Sequence, residues 1–73
     1  MTSSLQKFGI YIRHLRQENG WTQLELSIKV FKKPNYEFIS RLERGSLSGI
    51  TFTTADKILF ELGCEMDFSK FKN

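Results

Sequence analysis

Apolar residues recur at helical spacing through most of the chain and at strand spacing only after Gly63. Leu5, Phe8, Ile12 and Leu15 form one stripe, which predicts a first helix that starts at Ser3, has Gln6 as capping-box partner and stops at Gly20. The next helix has the best local signature. Thr22 is its N-cap, Glu25 stands at the third helical position, and Trp21 before the cap can staple onto Leu26. It runs to Val30 or Phe31 and ends before Pro34, since proline disfavours a helical residue before it. Asn35 predicts the N-cap of a third helix that continues to Arg44 and stops at Gly45. Thr51 or Thr53 caps a fourth, on which Phe52, Ala55, Leu59 and Leu62 share one face with Ile58 beside them, and Gly63 ends it. Cys64, Met66 and Phe68 then alternate with Glu65, Asp67 and Ser69, which is the pattern of a short strand.

A chain of 73 residues that is 40% hydrophobic is one small globular domain. Its core is small, and a single cysteine with no Cys/His cluster offers neither disulfide nor zinc to reinforce it. Oligomerisation is therefore the expected extra source of stability. No apolar run approaches the roughly 18 residues that span a bilayer, and no signal-peptide pattern opens the chain, so no membrane partner is expected and the default location is the cytoplasm. Charge is unevenly spread. Residues 1–57 carry nine Lys/Arg against five Asp/Glu, whereas residues 58–73 carry two against three. That bias permits nucleic-acid binding without establishing it.

Catalytic readings find little to stand on, and no enzyme, cofactor or metal is expected. His14 falls opposite the apolar stripe of helix 1 and has no second His or Cys to share a metal with. Cys64 lies beside the acidic Glu65, the wrong neighbourhood for an activated thiol. Ser46-Leu47-Ser48-Gly49 follows no strand, so it is not a nucleophile elbow, and Gly45 and Gly49 form no phosphate-binding loop.

The third helix is the informative one. On a wheel of about 100° per residue, Ile39 and Leu42 point inward with Phe38 beside them. Glu37, Ser40, Arg41 and Arg44 gather opposite, with Tyr36 at the edge. Such a face suits a solvated helix, and it also has groups able to read bases: Arg to guanine, Glu to cytosine, an aromatic ring against a thymine methyl. Arg16 carries a second signal. It shares the apolar side of helix 1 with Ile12 and Leu15, so its guanidinium needs a carboxylate, and Glu43 beside the core face of helix 3 is the best candidate for a structural ion pair.

Leu15-Arg16, Gly20-Trp21-Thr22-Gln23 with Glu25-Leu26, and Ile39-Ser40-Arg41-Leu42-Glu43-Arg44-Gly45 together resemble the Cro/repressor-type helix-turn-helix family. The segment from Thr51 to Leu62 followed by a strand looks most like the HipB-type antitoxins of that family. One departure is visible: the stretch through Phe31-Lys32-Lys33 makes the link between helices 2 and 3 longer than the family's usual turn. The resemblance implies an all-α, lambda-repressor-like helix-turn-helix domain over residues 1–63, and a dimerisation strand and tail over 64–73 through Cys64, Met66 and Phe68. It implies base contacts from Tyr36, Glu37 and Arg41, and Ser40 shares their face. Gln23 at the start of helix 2 is expected to hold a phosphate, with Lys32, Lys33, Arg44, Ser46 and Ser48 as further phosphate candidates. It implies the Arg16–Glu43 pair as well.

The expected function is that of a sequence-specific repressor binding a palindromic operator in duplex DNA as a homodimer. By the same resemblance it is an antitoxin that regulates its own operon and partners a cognate toxin. A phage-type repressor or a restriction–modification controller protein is the alternative within the DNA-binding class. From a different class, the alternative is a protein-interaction module that holds a toxin kinase and binds little DNA.

Overall fold

The computed structural model describes residues 4–64. Its order is α1 (Ser4–Glu18), α2 (Gln23–Phe31), α3 (Tyr36–Arg44) and α4 (Phe52–Glu61). These helices form a compact all-helical unit, and the described residues contain no strand. Met66 and Phe68, and with them the expected strand, lie outside the described residues, as does the expected cap Ser3. Cys64 lies inside them, half-buried against the core, with its Sγ 3.8 Å from the Tyr11 hydroxyl.

Local chemistry accounts for most helix boundaries. Thr22 and Glu25 form the full capping box: the Thr22 hydroxyl accepts from the Glu25 N–H at 3.0 Å, and Glu25 Oε1 accepts from the Thr22 N–H at 2.9 Å. These bonds hold the Glu25 carboxyl below its usual range, the Thr22 N–H being the main cause. The stability so gained is present above the ordinary carboxylate range and fades as pH falls through the lowered value. Glu25→Gln should therefore lose less stability than wild type between about pH 6 and about pH 3, measured by urea unfolding. Thr22→Ala should cost about 1 kcal/mol at neutral pH, and a value near zero would mean that the cap is idle. Gly20 and Gly45 end α1 and α3 in the left-handed region, at φ 73° and 72°. Of the two caps open for α4, Thr51 is used, its hydroxyl accepting from the Thr54 N–H at 3.2 Å.

The core comprises Ile12 of α1, Leu26 and Val30 of α2, Ile39 and Leu42 of α3, and Ile58, Leu59 and Leu62 in and after α4. Leu5, Phe8, Leu15, Trp21, Phe31 and Phe38 pack around it, half-buried. α3 lies against both α1 and α2, and α4 rests on α2. Contact between α1 and α3 is close enough that Gly9 is buried against backbone, facing the Leu42 carbonyl. Two expectations need correcting. Phe52 shares the wheel position of Leu59 but is 57% exposed, because α4 buries itself through its later turns, at Ile58, Leu59 and Leu62. Asn35 occupies the N-cap position of α3, yet its side chain makes no capping bond. Among the described residues no helix is long and apolar enough to cross a membrane.

Candidate nucleic-acid interface

Three fixed points hold α2 and α3 against each other. The first is the ion pair expected from the placement of Arg16. Its Nε donates to Glu43 Oε2 at 2.6 Å and its Nη2 to Glu43 Oε1 at 3.0 Å, while Nη1 donates to the Trp21 carbonyl at 2.7 Å. Gln23 Nε2 also donates to Glu43 Oε1, at 3.1 Å. One carboxylate thus ties α1, the start of α2 and the end of α3 together, and no buried side-chain polar atom among the described residues lacks a partner.

The second fixed point is the edge-to-face contact of Phe31 with Phe38, centroids 5.2 Å apart, which closes the far side of the connector. The third is Ser27, fully buried in α2. Its hydroxyl donates to the Leu24 carbonyl at 2.7 Å and accepts from the Asn35 N–H at 3.0 Å. Between these points the chain turns through Lys32, the one described non-glycine residue at positive φ (62°), whose N–H still reaches the Ile28 carbonyl at 2.8 Å. Residues 32–35 fill the connector, and both Lys32 and Lys33 are exposed on it.

What this frame presents outward is the polar face of α3. Tyr36, Glu37, Arg41 and Arg44 are exposed, and Ser40 is half-buried between them. Glu37 and Arg41, one turn apart, are 4.0 Å from each other, a loose exposed pair that either partner can leave at little cost. Arg44 Nε reaches back to the Ser40 carbonyl at 3.3 Å. The Ser46 hydroxyl donates to the Arg41 carbonyl at 3.3 Å, and Ser48 is exposed in the same loop. The expected base-reading residues therefore share one face, with Lys32 and Lys33 in the connector before α3 and Ser46 and Ser48 in the loop after it. Gln23 is placed differently: it stands at the first turn of α2, half-buried, with its amide engaged by Glu43.

Two residues that organise this site escaped the sequence reading. Ser27 was visible only as a hydroxyl between Leu26 and Ile28 in α2, and Gly9 only as a glycine inside a helix, where it normally costs stability. His14 is exposed and bonds Glu18 at 2.8 Å, one turn on. No group of three or more His, Cys, Asp or Glu among the described residues could hold a metal. The chain matches no protein-family model, no curated protein and no solved structure.

Proposed function

We propose that this chain is a sequence-specific DNA-binding repressor of the helix-turn-helix kind, with α3 as the helix that enters the major groove. The observation that carries this reading is the division of α3. Ile39, Leu42 and Glu43 are buried, while Tyr36, Glu37, Arg41 and Arg44 face outward, with the lysines of the connector ahead of them. An exposed helix face with two arginines, a carboxylate and a ring suits base edges, and flanking cations suit phosphates. The chain's resemblance to Cro/repressor proteins supports the same assignment. It also suggests an antitoxin acting in the cytoplasm as a symmetric dimer through residues 64–73, with two copies of α3 about 34 Å apart on a palindromic operator.

Selection from randomised duplexes tests this directly. Wild-type protein should enrich a palindromic sequence, and affinity for it should fall steeply with salt as counterions are released. Arg41→Ala should lose about 1–3 kcal/mol on the selected duplex and relax preference at one base pair. Equal losses on selected and random DNA would make Arg41 a phosphate contact. Phe60, 68% exposed on α4, favours a second reading in which the domain chiefly holds another protein, such as a toxin kinase. Failure to bind any duplex at low salt would leave that reading in its place.

A further inference from the structure

The start of α3 is not fixed by its own sequence. Asn35 stands at the N-cap with φ −154° and ψ 52°, and its side chain accepts no bond from the first turn. The connector before it turns through a left-handed lysine at Lys32, where glycine would be the unstrained residue. The Phe31–Phe38 ring contact packs the inner side of the first turn, and the Ser27 hydroxyl holds the backbone at Asn35. That hydroxyl lies beneath the connector with no exposed surface, anchored on the Leu24 carbonyl, and takes the Asn35 N–H at 3.0 Å. Tyr36 and Glu37 follow Asn35 directly. Arg41 and Arg44 lie one and two turns further on, near the Arg16–Glu43 pair and the Gly45 cap.

We infer that Ser27 is a specificity-determining positioning residue: it touches no DNA, but its buried bond to Asn35 sets where Tyr36 and Glu37 meet the bases. The inference rests on the DNA-binding reading above and adds a division within the reading face. The first turn of α3 is positioned through Ser27, and the later turns are positioned independently of it. Loss of the hydroxyl leaves the Asn35 N–H without its acceptor and frees the entry of α3, while the core that holds Leu42 and Glu43 stays in place. A small displacement of a contacting group is enough to lose a directional bond to a base.

The test compares wild type, Ser27→Ala and Ser27→Thr, the last keeping the hydroxyl, at a temperature where circular dichroism shows each folded. Tyr36→Ala and Glu37→Ala first identify the base pairs read by the first turn. Ser27→Ala should relax preference at those base pairs and weaken the selected duplex about tenfold, as expected for one unsatisfied polar group. Preference at the base pair read by Arg41, and the salt slope, should not change. Ser27→Thr should restore the wild-type profile if it folds. Amide exchange supplies a readout without DNA: in Ser27→Ala the Asn35 to Phe38 amides should exchange faster, and those of Leu42 and Glu43 at the wild-type rate. Uniform weakening at every base pair, an unchanged profile, or unchanged exchange at Asn35 would each overturn the inference. A wild-type protein that enriches no sequence overturns the DNA reading itself, and the exchange measurement still decides whether Ser27 holds the α3 entry.

Discussion

Arg16→Ala and Glu43→Ala should each destabilise the protein by about 3–5 kcal/mol, because either change strands a charge inside it. The two side chains are only 12% and 3% exposed and meet through two bonds of 2.6 and 3.0 Å. Without Arg16, the Glu43 carboxylate keeps only the Gln23 amide, and the Trp21 carbonyl loses its donor as well. A domain of this length has roughly 4–11 kcal/mol of total stability, so the loss removes a large share of it. Urea unfolding followed by circular dichroism measures the effect. A change below about 1 kcal/mol would mean that the pair is solvated and weak. The double replacement Arg16→Met with Glu43→Leu should be milder than either single one, since it removes both charges and keeps apolar volume. That contrast separates the cost of an orphaned charge from the value of the pair.

Gly9→Ala is expected to lower stability by about 2–3 kcal/mol or more, against the usual direction of that change. Inside a helix, alanine is ordinarily better than glycine by about 0.5–1 kcal/mol, because it restricts the unfolded chain and shields the backbone. At Gly9 the added Cβ would overlap the Leu42 carbonyl oxygen across the α1–α3 contact and lie 3.0 Å from its carbon. Backbone cannot swing aside as a side chain can, so the helices must part and the core around Ile12 and Leu42 must open. Gly49→Ala is the matching control, since open space surrounds that position and its backbone requires no glycine. Thermal melts of the two variants should differ widely. Equal melting temperatures would show that α1 and α3 are free to slide.

The helices were legible in the sequence where their signals are local. Thr22 and Glu25 are three residues apart and cap each other whatever lies around them, so the start of α2 could be read directly. Arg16 and Glu43 could be paired because a charge on an apolar face must find its opposite, and only their burial required the fold. The division of α3 was legible for a similar reason, since its periodicity is strong. Asn35 was harder. Its place at the head of α3 was readable, but the group that satisfies it is Ser27, eight residues back, and sequence does not show which hydroxyl a connector passes over. Phe52 failed for another reason: periodicity gives an angle around the helix axis, not how far along it the neighbours reach. Gly9 could be seen only as an anomaly, and the engagement of Gln23 by Glu43 depends on how α2 and α3 cross.

Arg41 and Leu42 are adjacent in the chain and answer to different judges. Leu42 has no exposed surface, while Arg41 lies on the surface. The inner set of α3 answers to foldability, and on the DNA-binding reading proposed above the outer set answers to what the domain recognises. Because the two sets interleave without overlapping, that reading would let a few substitutions on one short helix change the target while the scaffold keeps its core. Ser27 belongs to neither set: on the inference drawn above, a change there leaves the inner set seated and moves the first turn of the outer one.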